Sequence, residues 1–464
     1  VRAAAALAAA LALVALAVPA HAAEVTRSPE ATAISINGLF QHTGAMLPNA
    51  SKHAGLIAGS GIRTARADAF WPWAEPRAPF LGMRSYTWRS FDDAVGLLAA
   101  NDLRLLPELA YSTLWSTTVP GDDHAPPVND ADYAAYAGAF ARRFGRGGEF
   151  WSAHPELPAL PVTAYHVWNE PNLQHFWRPQ PDAARYARLY RAAREAIKRS
   201  DPDATVVLGG LSPLADSFVE SAYAAEPALR GNVDALAYHP YGATPAHVLK
   251  QVRRMRSTLD GLGEGAVPLW ITELGWPTQG KGGLPSPLPD RTRAGNVSLL
   301  TDALLGSNCD VDVVAAYQWV AAEREAGFDE HWMGIYRHDG TPTETGVAYR
   351  ESVARNAALA GPRPALGLCE GASRGGAGAP PLELGLGLRA TGKRCFDATV
   401  TYRGRPVNGV VVTFAAGPHS KNASTSSTGV AKRCLPRAAA GRRLKATARL
   451  LDVAASGTAR GRVR

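Results

Sequence analysis

Two glutamates framed by tryptophan are the residues of this chain best suited to chemistry. Trp168-Asn169-Glu170-Pro171-Asn172 follows the apolar run Pro161-Val162-Thr163-Ala164-Tyr165-His166-Val167. Trp270-Ile271-Thr272-Glu273-Leu274-Gly275-Trp276 follows Val267-Pro268-Leu269. Each segment reads as a buried strand that delivers one carboxylate at its C-terminal end, beside an aromatic surface. Cleavage of a glycosidic bond needs two carboxyl groups so placed, one to protonate the leaving oxygen and one to attack or to activate water. No histidine spacing such as H-E-x-x-H signals a metal, and this chemistry calls for no cofactor.

Carboxylates a hundred residues apart need a scaffold that brings them together. From about Ser35 to Ala360, short apolar runs alternate with longer helical patterns, the mark of parallel β/α units. The expected strands are Ile34–Phe40, Ile62–Asp68, Leu103–Leu109, Val162–Trp168, Thr205–Leu208, Val233–Tyr238, Leu269–Thr272 and Val311–Trp319. Between them, Tyr133, Tyr136, Phe140 and Phe144 share one helical face behind an Asn129-Asp130 cap, and Tyr186, Leu189, Tyr190, Ala193 and Ile197 repeat the pattern after Pro181. Eight such units close most simply into a (β/α)8 TIM barrel, an α/β fold. An open doubly wound sheet would carry a phosphate-binding glycine loop after its first strand, and none follows here.

Several motifs, in order, now resemble those of the clan A glycoside hydrolases, retaining enzymes on the (β/α)8 barrel. Asn169-Glu170-Pro171 matches the end of the clan's fourth strand and Glu273 the end of its seventh. Gly61-Ile62-Arg63-Thr64-Ala65-Arg66-Ala67-Asp68-Ala69-Phe70-Trp71 is similar to the second strand, with Arg66 in place of the active-site arginine. Tyr238-His239-Pro240-Tyr241 matches the sixth and Tyr317-Gln318-Trp319 the eighth. The resemblance spans residues 34 to 355, and families 5 and 39 are the nearest. Leu106-Pro107-Glu108-Leu109-Ala110-Tyr111 departs from it, lacking the histidine that many relatives carry at the third strand's end. The resemblance implies that Glu170 is the acid/base, that Glu273 is the nucleophile, and that Asn169 holds the sugar 2-hydroxyl. Arg66 and Tyr241 would keep Glu273 ionised and aimed, with His239 in the same network. Glu108 is expected to be structural and Asp68 to support the site from behind.

Tryptophan adds independent support. All eleven lie between Trp71 and Trp332, and most fall at strand ends or in the loops that follow. Indoles at a barrel mouth suit stacking on pyranose faces. Trp71, Trp276 and above all Trp319 are therefore expected to bind sugar, while Trp88, Trp151 and Trp270 are expected in the core. The loops Pro277 to Asp290 and Ala321 to Met333 are expected to wall the cleft, since loops at this face carry specificity.

At 464 residues the chain exceeds one ordinary domain. Arg2, the apolar run Ala3 to Ala17 and the A-x-A end Ala20-His21-Ala22 make residues 1–23 a secretory signal, too short to span a bilayer. The barrel domain is expected over 24–360 and a Gly/Pro/Ala-rich linker over 361–381. A small basic β-sandwich of immunoglobulin-like pattern follows over 382–464, with Phe396–Tyr402, Gly409–Phe414 and Leu444–Leu450 as its strands. From Ala365 onward there are 17 Lys/Arg against 4 Asp/Glu, an excess of +13 that leaves −5 for the rest of the +8 total. Such a tail could hold an acidic cell-surface polymer, although arginine accumulation alone would also produce it. It lacks tryptophan, so a spacer or attachment role is expected over an aromatic glycan-binding strip. No nucleic-acid recognition motif occurs, and no further run is long and apolar enough to span a membrane. Four cysteines in an exported chain favour disulfides, with Cys309–Cys369 and Cys395–Cys434 preferred among three connectivities.

These readings converge on a secreted, monomeric retaining glycosidase acting on a polysaccharide or oligosaccharide. The competing reading is a non-catalytic glycan-binding protein of the cell surface on the same scaffold.

Overall fold

The computed structural model describes residues 24–27, 31–40, 46–283, 285–324, 327–359, 361–370, 379–452 and 454–463. The expected signal, residues 1–23, lies outside them. Eight parallel strands close into a barrel: β1 (Thr32–Ser35), β2 (Thr64–Phe70), β3 (Arg104–Ala110), β4 (Ala164–Val167), β5 (Thr205–Leu211), β6 (Ala235–Tyr238), β7 (Leu269–Leu274) and β8 (Val311–Ala316). Each is followed by a main helix: α1 (Ala50–Gly59), α2 (Arg89–Ala99), α3 (Asp130–Phe144), α4 (Ala183–Ser200), α5 (Asp216–Ala225), α6 (Pro245–Gly261), α7 (Asp290–Leu305) and α8 (Glu344–Ala358).

The helices seat themselves on the strands through the aromatic stripes visible in sequence. Tyr133, Tyr136, Phe140 and Phe144 are all buried on α3, which Asn129 caps by accepting from the Ala131 amide. Their polar ends are satisfied. The hydroxyls of Tyr133, Tyr136 and Tyr186 donate to carbonyls of Leu109, Ala69 and Val167 at the C-terminal ends of β3, β2 and β4. A large aromatic body thus fills the space between helix and strand while its hydroxyl pairs with the backbone.

Strand limits differ from the expected ones where the active face begins. β1 ends at Ser35, and Asn37–Leu39 form a tight turn instead of more strand. β5 continues to Leu211 through a bulge at Gly209/Leu211. β8 stops at Ala316, so Tyr317-Gln318-Trp319 belongs to the following loop, with a cis peptide between Tyr317 and Gln318.

The C-terminal region forms two sheets. One has the order β9 (Leu382–Glu383), β17 (Ala455–Arg462), β16 (Arg443–Leu450), β13 (Val411–Ala416), β14 (His419–Ser424). The other joins β10 (Gly385–Ala390), β11 (Cys395–Tyr402) and β12 (Arg405–Pro406), with β15 (Val430–Cys434) also on β11. The strands missing from the sequence reading, such as β14 and β17, are rich in Ser, Gly and basic residues and lack an apolar alternation. Cys395–Cys434 links β11 to β15, and Cys309–Cys369 ties the segment after α8 to the start of β8, both as expected. Within the stretch expected as a linker, Gly361–Pro364 pair antiparallel with Glu24–Arg27.

The sandwich packs on α7 and α8. Tyr402 donates to Asp302 at 2.6 Å, and Arg405 pairs with Glu351 at 2.7 Å. From Thr292 to Leu305 every residue of α7 is buried. Among the described residues no helix is long and apolar enough to cross a membrane.

Candidate active site

The C-terminal ends of the barrel strands open into a cavity of about 730 Å³. Its floor is built on alternate residues of β2 and β3, which point into the barrel by the two-residue period of a strand. Arg66 is fully buried and lies between two carboxylates, paired with Glu108 from β3 and 3.0 Å from Glu273 Oε1 of β7. Burial opposes its charge, but Glu108, Glu273 and Asp68 together raise its pKa well above the usual value. Glu108 also contacts His166 Nδ1 at 3.0 Å. The floor is therefore a polar layer of Arg66, Glu108 and His166 beneath the two glutamates.

Glu170 is aimed by an unusual turn. Both Trp168 (φ 66°) and Glu170 (φ 42°) lie in the left-handed region, and the Glu170 amide donates to Gly210 O at 3.1 Å. Gly210 itself has φ 85°, and a Cβ there would meet the His166 ring at 2.5 Å. Only glycine fits at that bulge, so the β5 sequence Gly209-Gly210 is part of how β4 presents its carboxylate.

The two glutamates face each other across His239. Its Nδ1 lies 3.0 Å from Glu170 Oε1 and 3.6 Å from Glu273 Oε2, and its Nε2 lies 2.9 Å from the Thr272 hydroxyl. One oxygen of each glutamate and this ring nitrogen all lie within 4.8 Å of one another. Tyr241 donates its hydroxyl to Glu273 Oε2 at 2.7 Å. The Asn169 amide nitrogen donates to Tyr111 at 3.2 Å, leaving its buried Oδ1 without a protein partner at the cavity wall.

Burial dominates the electrostatics here. It raises Glu170 to about 8, with the charge of Glu330 adding and Ser212 and Arg66 opposing. It raises Glu273 to about 7, with Arg66 opposing and Glu170 and Glu108 adding. His239 is lowered to about 4 by burial, so the ring is neutral at neutral pH. Asp68, hydrogen-bonded by Asn37 at 2.9 Å, is raised to about 7 by burial and the nearby Glu108. The direct contacts of Glu273 with Arg66 and Tyr241 favour its ionised form. Glu170, His239 and Glu273 have the ligand types to approach a cation, as do Asp122, Asp123 and His124. In the first trio the atoms a cation would need are already engaged with one another.

Of the residues expected to bind sugar, Asn169 and Tyr241 line the cavity, whereas Arg66 and His239 lie behind the glutamates. The three tryptophans are not at its wall. Trp71 begins a short helix and donates to Glu75, Trp276 donates to Gly242 O, and Trp319 donates to His53 while stacked on Tyr336 at 3.8 Å. Each is almost wholly buried. For Trp319 the cause is direction: Tyr317 and Gln318 turn into the cavity, and the next side chain turns outward toward α1. The aromatic wall is made instead by Phe40, Phe70, Trp73, Tyr111 and Phe176. Sequence reading assigned no role to Asn37, His124, Ser212 or Gln318; Asn37 and Gln318 fall in runs expected as strand, and both lie just past a strand end. Both expected wall loops contribute, through Pro285 and through Asp329, Glu330, His331 and Met333. They meet where the Lys281 amide donates to Asp329 at 3.0 Å. Glu325 of the second loop lies outside the described residues.

Residues 150–349 match the family model of the glycosyl hydrolase catalytic core. A comparison with curated proteins finds no match. Among solved structures, the monomeric β-xylosidase from Caulobacter crescentus CB15 is 18% identical, covering 71% of this chain and 69% of its own at a TM-score of 0.53. The family 39 β-xylosidase from Caulobacter crescentus is 17% identical over 85% of this chain and 83% of its own, TM-score 0.56. The family 39 enzyme from Xanthomonas axonopodis pv. citri is 15% identical over 89% and 93%, TM-score 0.56. These three share the fold. With the catalytic-core match and the closed eight-stranded barrel in hand, the chain carries the catalytic core of a glycoside hydrolase.

Proposed function

We propose that this glycoside hydrolase is an exported, single-chain retaining β-glycosidase of the family 39 type, acting on an oligosaccharide or polysaccharide by double displacement. Glu170 protonates the glycosidic oxygen while Glu273 attacks the anomeric carbon. The C–O bond to the leaving group breaks as the glycosyl–Glu273 bond forms. With Glu273 esterified, its charge no longer raises the pKa of Glu170, which then takes a proton from water as that water displaces Glu273. The observation that carries this reading is the spacing of the pair, whose nearest oxygens lie within 4.8 Å. Retaining enzymes hold their carboxyl groups about 5–5.5 Å apart, and inverting ones leave about 6.5–9.5 Å for a water.

Arg66 and Tyr241 stabilise the Glu273 carboxylate and direct it, and the free Asn169 Oδ1 can accept from the sugar 2-hydroxyl. Export is supported by the sequence of residues 1–23 and by two disulfides. The basic excess of the sandwich would hold the enzyme to an acidic polymer, a contact that added salt weakens. A non-catalytic glycan binder has no use for a carboxyl pair held at this spacing.

The test is turnover of activated aryl glycosides, beginning with a β-xyloside because two of the structural neighbours are named β-xylosidases. Glu273→Ala should abolish turnover, and azide should restore it with release of an inverted glycosyl azide. Full activity in that variant would overturn the reading.

A further inference from the structure

The loop after β6, Tyr241-Gly242-Ala243-Thr244, carries the hydroxyl that meets Glu273, and it is held from three sides. Gln251 of α6 donates to Tyr241 O at 2.7 Å. Trp276, just beyond β7, donates to Gly242 O at 2.9 Å. The third support comes from the other lobe: Asn408, in the turn between β12 and β13, donates from Nδ2 to Ala243 O at 3.1 Å.

Asn408 is itself fixed on both ends. Asn296 of α7 donates to its Oδ1 at 2.7 Å and accepts from its backbone amide at 3.3 Å. The side chain is nearly inaccessible. Its neighbour Gly409, at φ 70°, approaches so closely that a Cβ there would lie 2.4 Å from Thr244 Cβ. The turn therefore rests directly on the segment that leads into α6. A domain that served only as a tether would need no such contact with a loop of the reaction centre.

We propose that Asn408 is a positioning residue: through the Ala243 carbonyl, the sandwich sets Tyr241 against Glu273. This rests on the reading of Glu273 as nucleophile. Loss of the contact frees the loop on its outer side, lengthens the Tyr241–Glu273 hydrogen bond and misdirects the attacking carboxylate. Displacements near 1 Å in such groups cost up to about a hundredfold in rate.

The experiment compares wild type with Asn408→Ala, Asn408→Asp, Tyr241→Phe, the double variant Asn408→Ala/Tyr241→Phe, and Arg405→Ala. The last severs the pair with Glu351 in the same interface without touching the loop. Asn408→Asp keeps the acceptor for Asn296 but loses the donor to Ala243. Both Asn408 variants should lower kcat about tenfold, with KM changed little. They should move the acidic limb of the pH profile upward and speed amide exchange across residues 240–246. In the Tyr241→Phe background Asn408→Ala should add nothing further, and Arg405→Ala should leave kcat and the limb in place. Additive losses in the double variant, or an unmoved limb and unmoved exchange, would overturn the proposal. Full turnover by Glu273→Ala would instead sink the functional reading, while the exchange data would still judge the strut.

Discussion

Glu170 and Glu273 sit in nearly the same degree of burial, yet their partners differ in kind. Glu273 meets a guanidinium and a phenol hydroxyl, both of which favour a carboxylate, whereas Glu170 meets Ser212 and the like charge of Glu330. In the proposed mechanism that difference sets Glu170, the acid, apart from Glu273, the nucleophile. Its productive form would have Glu273 ionised and Glu170 protonated, so kcat/KM should trace a bell. Activity falls below about 7 as Glu273 takes a proton and above about 8 as Glu170 loses one. Tyr241→Phe removes a donor to the carboxylate, raises the Glu273 pKa and should shift the acidic limb upward, narrowing the bell. Loss of the proposed acid, in Glu170→Gln, should lower kcat by about 10²–10⁴-fold on substrates with poor leaving groups. Rates on a dinitrophenyl glycoside should suffer far less in the glycosylation step.

The same residues carry a stability cost. A carboxyl group whose folded pKa exceeds its unfolded value binds more protons folded than unfolded between the two. Stability then falls as pH rises from about 4.5 toward about 8. Glu170→Gln removes one such group, so its melting temperature should decline less across that window than that of wild type. Equal slopes in calorimetry at pH 5 and pH 8 would contradict the assigned shift.

At the level of elements, the β4–β5 join shows what the sequence conceals. The strands and the two glutamates were legible because apolar runs and Trp-flanked carboxylates stand out against polar helix surfaces. The presentation of Glu170 depends on two left-handed residues and on a bulge across from them, and no periodicity announces either. Gly209-Gly210 reads in sequence only as the end of a short strand. Gly210→Ala should destabilise the fold by about 1–3 kcal/mol and depress kcat, since the added methyl collides with the His166 ring. Urea unfolding alongside single-turnover kinetics would measure both. The misplaced tryptophans follow from the same kind of limit. Trp319 lies in the loop after β8, where two successive side chains, Tyr317 and Gln318, turn into the cavity, so the alternation of a strand does not say where it points.

In the whole molecule, one disulfide at the connection and one buried helix bind the barrel and sandwich together. The Cys309–Cys369 bridge closes a span of 60 residues that contains α8 and the start of the connection. Its removal in Cys309→Ala/Cys369→Ala should cost about 2–4 kcal/mol, seen as a lower urea midpoint with little change in kcat. The charge asymmetry of the C-terminal lobe was plain from sequence, but its contact with α7 was not. Asn296, Asp302 and Tyr402 are ordinary polar residues until the two lobes are set against each other.

The full burial of α7 reaches beyond catalysis. In a free-standing barrel the outer flank of this helix would meet solvent, yet here it presents Gly295, Asn296 and Leu299 to a neighbouring lobe or to the barrel wall. A gene fragment ending near residue 360 would thus expose a surface shaped for a missing companion, and recombinant yield of that fragment should suffer accordingly.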